Sequence, residues 1–284
     1  MIRPSHVAAT IALAALACTA LPTRAADSYD SCEGRFIQSL PVTITSQGVW
    51  CLRHDLSTAI GAGAAVTIAT NNVTLNCNGY KLGGLAAGDT SQATGVYASN
   101  RQNVTVRGCN LRGFNHGIWI DGGGGHVVAD NRLDNALLVG IRVSGEHNRV
   151  IDNAVFDTGG ATERTEAYGI IASADVIGNT VAGVFATAAN TYLHGMLVNG
   201  DGHQVRGNVI RGLAPAGFGA AHGIVATGSG MTIEGNRVSS ATLIGGNGIA
   251  GHGAADTFCL DNTVARFAGG ITQCRPSSTN DSFL

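Results

Sequence analysis

One short pattern recurs along most of the chain and limits what the chain can fold into. Each copy is an apolar segment that ends in asparagine, as in "VVADN" and "VIGN". Successive copies lie 21 to 32 residues apart. A repeat of this length is typical of a solenoid, in which each unit stacks on the next. The asparagines are Asn78, Asn110, Asn131, Asn153, Asn179, Asn208, Asn236 and Asn262.

A second marker, a glycine followed by an apolar residue, falls between the asparagines. Two markers in each unit indicate at least two short strands, and no segment after the N-terminus has the sustained spacing of an amphipathic helix. We therefore predict an all-β parallel β-helix of roughly eight coils, about 40 Å long at about 4.8 Å for each coil. The marker pairs are Gly117-Ile118, Gly140-Ile141, Gly169-Ile170, Gly195-Met196, Gly223-Ile224, Gly248-Ile249 and Gly270-Ile271.

The asparagines have a structural explanation. Equivalent asparagines in stacked coils lie one above another, so each side-chain amide can donate to the carbonyl of the next. Asparagine also tolerates the left-handed backbone of a sharp turn. We predict that the series forms a hydrogen-bonded ladder.

The segments "VTIATNNVTLNCNGYKLGG" and "NVTVRGCNLRGFNHGIWIDG" resemble exported bacterial right-handed parallel β-helix repeat proteins, in the superfamily that includes pectate lyases. The resemblance covers roughly residues 36–274 and implies a single right-handed β-helix. That superfamily contains lyases, epimerases, hydrolases and non-catalytic members, so the resemblance does not choose an activity. The acidic calcium cluster and the Asp-Pro-His epimerase motif of better-known members are absent from this chain.

The chain divides into four segments. Residues 1–25 have a basic start, an apolar run and a small-x-small cleavage site, which is typical of a signal peptide. Residues 26–60 are expected to cap the β-helix of residues 61–275, and residues 276–284 form a polar tail. Cys18 also permits a lipoprotein reading, although "ALA" before it is a poor lipobox. No later apolar run is long enough to span a membrane, so we predict a secreted or periplasmic protein.

Six of the seven cysteines follow the predicted leader. An even number in an oxidising compartment favours disulfides over metal thiolates. Position in the repeat favours Cys32 with Cys51, Cys77 with Cys109, and Cys259 with Cys274. The net charge of -2 and the 13% of charged residues argue against nucleic acid as a partner. We expect a monomer with no cofactor and no bound metal.

The Gly-apolar strands place chemically active residues in columns. If the apolar residues point inward, the residue after each pair points outward, which gives Trp119, Arg142, Ile171, Leu197, Val225, Ala250 and Thr272. The residue before each glycine forms a denser column of His116, Val139, Tyr168, His194, His222, Asn247 and Gly269. Tyr168, His194 and His222 would then span about 10 Å on one face, with His116 about 10 Å below Tyr168.

This set fits chemistry on an acidic polysaccharide. Lyases and C5-epimerases of polyuronates need a positive charge beside the carboxylate, a base and an acid. Arg142 or Arg164 would neutralise the charge that develops on the substrate carboxylate. His194 or His222 would take the proton next to that carboxylate, and Tyr168 would deliver a proton to the leaving oxygen. His116, Trp119, Arg142, Arg164 and Asn247 are the candidate substrate-binding residues. A hydrolase is disfavoured, because an adjacent Asp pair like that of polygalacturonases is absent.

Other interpretations stay open. A non-catalytic carbohydrate-binding or surface scaffold would need no reacting groups. Copper handling through His194 and His222 has less support, because no third ligand is evident in the sequence. Each histidine, including His126, His147 and His203, can instead bond a turn through its ring.

Overall fold

Three short parallel strands in each coil, joined by turns, build the molecule. The computed structural model describes residues 32, 34–162, 164–252, 256–275 and 279–284. The predicted signal peptide, residues 1–25, lies outside the described residues. The strands, numbered along the chain, form three parallel sheets of ten, nine and ten strands. This is the β-helix expected from the repeats, with about nine turns against the roughly eight predicted.

Sheet 1 carries the Gly-apolar markers. Its strands are β1 (Val42–Ile44), β4 (Ala64–Ile68), β7 (Thr94–Gln102), β10 (His116–Gly124), β13 (Val139–Val143), β16 (Glu166–Ala172), β19 (Tyr192–Asn199), β22 (Ala220–Thr227), β25 (Ile249–Gly251) and β28 (Ile271–Thr272).

Sheet 2 leads into the asparagines. Its strands are β2 (Gly48–Cys51), β5 (Val73–Asn76), β8 (Val104–Arg107), β11 (Val127–Ala129), β14 (Arg149–Ile151), β17 (Asp175–Ile177), β20 (Gln204–Arg206), β23 (Thr232–Glu234) and β26 (Phe258–Leu260).

Sheet 3 follows the asparagines and completes each coil. Its strands are β3 (Leu56–Ser57), β6 (Lys81–Gly83), β9 (Asn110–Arg112), β12 (Arg132–Asp134), β15 (Ala154–Thr158), β18 (Thr180–Phe185), β21 (Val209–Ala214), β24 (Arg237–Ile244), β27 (Thr263–Phe267) and β29 (Asp281–Phe283). The described helix is one 3-10 turn, Leu85–Ala87. β29 pairs with β27 and lies within the segment 276–284 that we described as a polar tail.

The core is a set of inward columns that run through all coils. Ile118, Ile141, Ile170, Met196 and Ile224 pair in register on successive strands of sheet 1 and are fully buried. Burial of each such side chain contributes about 1.5–3 kcal/mol relative to exposure. The apolar half of each Gly-apolar marker is therefore a core residue.

The glycine of each marker is required by close packing. A Cβ built on Gly195 would lie 2.6 Å from Ile210 Cγ2 and 2.6 Å from the carbonyl oxygen of Gly223. Ile210 belongs to the sheet 3 strand β21, so sheet 1 and sheet 3 meet here without room for a side chain. The backbone of Gly195 has no positive φ, so space rather than turn geometry explains this residue.

The asparagine ladder forms as predicted from Asn131 onward. The Nδ2 group of each asparagine donates to the Oδ1 atom of the next over 2.9 to 3.1 Å, and the backbone N–H of each donates to the same oxygen. The ladder continues one step further, because Asn262 Nδ2 donates to Asn280 Oδ1 over 3.0 Å. Asn131, Asn153, Asn179, Asn208, Asn236 and Asn262 are all buried.

The prediction that Asn78 and Asn110 extend the ladder is wrong. Asn110 pairs with Arg132 at the start of the next strand, and Cys109 occupies the ladder position, where its N–H donates to Asn131 Oδ1 over 3.0 Å. Asn78 donates instead to the carbonyl of Leu52. The disulfide between Cys77 and Cys109 replaces the amide ladder in these two coils.

The other two cysteine pairs are also disulfide bonds, which confirms the expected pairing. Cys32 is joined to Cys51 beside the first coil, and Cys259 to Cys274 in the last coils. No helix in the described part of the chain is long and apolar enough to cross a membrane.

Candidate functional site

The residues that precede the marker glycines form one column in register on sheet 1 from His116 to His222, as predicted, although His116 and Val139 are buried. His116 pairs in register with Val139, Val139 with Tyr168, Tyr168 with His194, and His194 with His222. Each lies just before a glycine whose missing side chain lets sheet 3 pack close behind it. Val139 is buried and separates the His116 end of the column from the three upper members.

Tyr168, His194 and His222 form a continuous stack of rings. The ring centroids of Tyr168 and His194 are 4.9 Å apart with planes inclined by 6°, and those of His194 and His222 are 5.3 Å apart at 21°. These separations follow the spacing of neighbouring strands. The three candidate catalytic residues are therefore adjacent, and each is partly buried.

The hydrogen bonds of the stack differ from one member to the next. The Tyr168 hydroxyl donates to Glu166 Oε2 over 2.8 Å. His222 Nδ1 accepts the backbone N–H of Asn247 over 3.2 Å. His194 Nδ1 is buried and has no hydrogen-bond partner among the described residues. Of the two stacked histidines, His222 is thus the one that makes the ring-to-backbone hydrogen bond expected of a structural histidine.

The protonation of the stack follows from its burial. Burial, with smaller contributions from His222 and His252, lowers the pKa of His194 to about 4, against an opposing effect of Glu166. Burial and the charge of His252 also lower the pKa of His222. Burial and the contact with Glu166 raise the pKa of Tyr168 to about 12. At neutral pH the stack holds two neutral imidazoles and a protonated phenol.

A second aromatic group lies at the lower end of the column. The His116 ring stacks on Trp119 at 4.8 Å and 25°, and Tyr97 meets Trp119 edge-on at 5.4 Å. The Arg142 guanidinium carbon lies 5.0 Å from the centre of the Trp119 ring. Trp119 Nε1 is buried and has no hydrogen-bond partner among the described residues. We call Tyr97, His116, Trp119 and Arg142 the Trp119 cluster.

Positive charge is concentrated at this lower end. Burial, followed by the charges of Arg142 and Arg164, lowers the pKa of His116 to about 4. The charge of Arg142 also acts to lower the pKa of Tyr168, against the larger effects of burial and Glu166. Arg164 is exposed in the loop before β16. Both candidate neutralising arginines therefore lie near the His116 and Tyr168 part of the face.

Two features of this face differ from the sequence prediction. The column formed by the residues that follow the marker pairs is not open to solvent at its upper end, because Val225 and Ala250 in it are buried. Tyr97 was missed, although it pairs in register with Trp119. Gly95-Val96 is a marker pair with valine in place of isoleucine, and allowing that change would have placed Tyr97 in the column.

The remaining candidates have identifiable surroundings. Asn247 contributes its backbone N–H to His222, and its side-chain oxygen faces Gly269. His126 is buried, and its ring bonds the N–H of Val104 and the carbonyl of Gly122, which confirms a structural role. Among the described residues, no group of three or more His, Cys, Asp or Glu side chains has an arrangement that could hold a metal ion.

Comparison with known proteins agrees with this architecture. The family model described as the right handed beta helix region matches residues 53–195. The chain belongs to this right-handed β-helix family. The match runs from just before β3 to the His194 strand and includes the Trp119 cluster and the lower part of the ring stack.

Solved structures with a similar fold include three from different sources. The Dettilon tailspike protein gp208 is 16% identical over 87% of this chain, with a TM-score of 0.45, and this β-helix chain spans 60% of its length. The A-module of the Azotobacter vinelandii mannuronan C-5 epimerase AlgE6 is 15% identical, with 82% and 80% of the two chains covered and a TM-score of 0.38.

The third is an alginate lyase from Paenibacillus sp. str. FPU-7, which is 11% identical, with 83% of this chain and 90% of that chain covered and a TM-score of 0.36. At these sequence identities and TM-scores, the similarities give no evidence about the activity of this protein. No curated protein matches the chain at a significant level.

Proposed function

We propose that this β-helix protein works outside the cytoplasm on an acidic polysaccharide that lies on the outer face of sheet 1. The observation that carries the proposal is the stack of Tyr168, His194 and His222 beside the positive charge of Arg142 and Arg164. Three disulfides fit an oxidising compartment. The face combines rings that can pack on sugars with cations that can pair with carboxylates.

The proposed reaction is β-elimination at a uronate. His194 is neutral above the low pKa that burial imposes, so its ring can accept the proton next to the carboxylate. The electron pair released at that carbon forms a double bond to the neighbouring carbon as the glycosidic oxygen leaves. Tyr168 stays protonated because its pKa is about 12, so its hydroxyl can donate a proton to that oxygen.

C5-epimerisation would use the same first step. The proton leaves the uronate carbon to one face of the sugar, and a proton returns to the same carbon from the other face. This step needs a proton donor on the opposite side of the sugar, and the ring stack lies on one side only. The two reactions share the proton abstraction and then differ: elimination breaks the glycosidic bond, whereas epimerisation returns a proton to the same carbon.

We infer different roles for the two histidines from the hydrogen bonds of their rings. His222 Nδ1 accepts the Asn247 N–H, so in its neutral form the proton of this ring is on Nε2. A ring in that tautomer donates at Nε2 and does not accept there. We therefore propose His194 as the proton acceptor and His222 as the residue that positions it.

A non-catalytic carbohydrate-binding protein is the second candidate. The Trp119 cluster favours it, because stacked aromatic rings and an arginine bind sugars without reacting groups. Under this alternative the ring stack is a binding surface, and the low pKa of His194 is a result of burial alone.

Incubation with defined polymers separates the candidates. Purified protein is mixed with alginate, pectate or a glycosaminoglycan, and the absorbance of new unsaturated uronate ends is followed. Proton NMR of the recovered polymer detects epimerised sugars without cleavage. Formation of either product that disappears in His194→Ala supports the proposal. Binding of a polymer with neither product supports the non-catalytic alternative, and a lack of both binding and product rejects the acidic polysaccharide.

A further inference from the structure

The Trp119 indole N–H is a hydrogen-bond donor whose partner is missing. The ring itself is held in place by His116 on one side and the edge of Tyr97 on another. Nε1 is shut off from solvent, and no described residue accepts its hydrogen, so a ligand reaches it only when a side chain that covers it moves aside. Buried donors are nearly always paired, and each one that is not destabilises the fold, so an acceptor from outside the chain is expected.

The nearest charged group is a cation that lacks a counter-ion. Arg142 is half-buried over the Trp119 ring, and no described carboxylate forms an ion pair with it. Asp121, the next outward residue on the Trp119 strand, accepts the Ser144 hydroxyl over 3.0 Å. Glu166 accepts the Tyr168 hydroxyl. Neither of these carboxylates forms an ion pair with Arg142, so its guanidinium has donors left for a ligand.

An indole N–H next to a guanidinium favours an oxyanion. Both groups only donate, so a ligand with a donor of its own gains little from them. A carboxylate or sulfate has several acceptor oxygens and bonds strongly with arginine. Arg164 adds positive charge to the same area, since its charge acts on His116.

We propose that Trp119 Nε1 and Arg142 bind the oxyanion of an acidic sugar, at a subsite separate from the Tyr168, His194 and His222 stack. This inference deepens the proposed function and rests on it for the position of the polymer. Trp119 lies two strands below the Tyr168 strand and three below the His194 strand, about 10 and 14 Å away along the axis.

The separation determines how the polymer is recognised. A sugar at the stack and an acidic sugar at the Trp119 cluster belong to one chain only if that chain runs along the helix axis, across the coils. The protein then selects polymers in which acidic groups recur along the chain. A polymer with a single acidic sugar occupies one of the two positions and binds more weakly.

Trp119→Phe tests the donor, because it removes the N–H and keeps an aromatic, although smaller, ring at this position. Arg142→Gln tests the cation. Arg149→Gln is the matched control, since Arg149 is an exposed arginine of the same coil on sheet 2. Calorimetry measures binding of oligogalacturonate, of a sulfated oligosaccharide and of uncharged malto-oligosaccharide to each variant, and thermal melting checks that each one folds.

We expect oligogalacturonate or the sulfated oligosaccharide to bind about 10-fold more weakly to Trp119→Phe and about 10- to 100-fold more weakly to Arg142→Gln, with Arg149→Gln unchanged. The stronger ligand identifies the oxyanion as carboxylate or sulfate. In NMR titrations of the parent protein, the bound oxyanion should raise the pKa of His116. Equal affinity for the uncharged oligosaccharide, or equal loss in Arg149→Gln, overturns the subsite.

The subsite and the reaction can fail separately. Tight binding of the acidic ligand that depends on Trp119 and Arg142, without any product, keeps the subsite and rejects the chemistry. Product formation that is unaffected by both substitutions keeps the chemistry and rejects the subsite.

Discussion

The imidazole of His222 accepts the backbone N–H of Asn247 through Nδ1, 3.2 Å away and one coil further along the β-helix. The ring therefore connects two coils as well as facing outward. Its neighbour in the stack has no such bond, because His194 Nδ1 is buried and none of the residues that the structure describes bonds to it. His194 and His222 therefore occupy equivalent positions in the repeat but differ in the hydrogen bonds that their rings make.

This difference predicts opposite responses to substitution. His222→Ala should lower the free energy of unfolding by about 0.5–1.5 kcal/mol, because it leaves the Asn247 N–H without its acceptor. His194→Ala removes no hydrogen bond to the described residues and should abolish product formation with little change in melting temperature. Urea denaturation and the unsaturated-end assay measure the two effects. Equal loss of stability in both variants would contradict the proposed division of roles.

The stability of the protein should fall as the pH drops from about 6.5 to about 4. The pKa of His116 and of His194 is lowered from 6.5 to about 4 in the fold, so in this range the unfolded chain binds protons that the folded chain excludes. Each histidine should contribute at most about 3 kcal/mol to the decrease. Urea denaturation at pH 7 and pH 4.5 should show a smaller decrease in the double variant His116→Gln, His194→Gln. His147→Gln, which changes an exposed histidine, should keep the decrease of the parent protein.

Position in the asparagine ladder should determine the cost of losing an amide. Asn179→Ala removes bonds to Asn208 and to the Val150 carbonyl and leaves Asn153 donors unpaired in the interior, at a cost of about 2–4 kcal/mol. Asn280→Ala, at the end of the ladder where the residue is half-exposed, should cost about 1 kcal/mol. The comparison is made by urea denaturation, and a similar cost at both positions would argue against a cooperative ladder.

The marker glycines should resist even a methyl group. Gly195→Ala places a Cβ 2.6 Å from Ile210 Cγ2 and from the Gly223 carbonyl oxygen, so we expect a loss of about 1–3 kcal/mol. Gly61→Ala is the control, because a Cβ there meets no atom within 4 Å and the backbone φ is not positive. The control should melt at or slightly above the temperature of the parent protein. If Gly195→Ala has the same melting temperature as Gly61→Ala, close packing does not explain the marker glycine.

The fold was predictable because its two markers recur in most coils and each has one physical cause. The third strand of each coil was not visible in the sequence, since strands as short as Arg132–Asp134 do not show a period. The column of Tyr168, His194 and His222 was predictable because it is fixed relative to the glycines. The partner of His222 was not, because the Asn247 N–H comes from the next coil through a turn whose path the sequence pattern does not specify.

The ladder also makes the length of the molecule adjustable. Because Asn153, Asn179 and Asn208 present the same donor and acceptor to their neighbours, removing residues 154–179 would bring Asn153 against Asn208 with the same bonds. Duplicating that segment would instead insert a coil between surfaces that already match. Each such step shortens or lengthens every outward column by one residue, so a change in the number of binding positions along the face requires no new design of the interior.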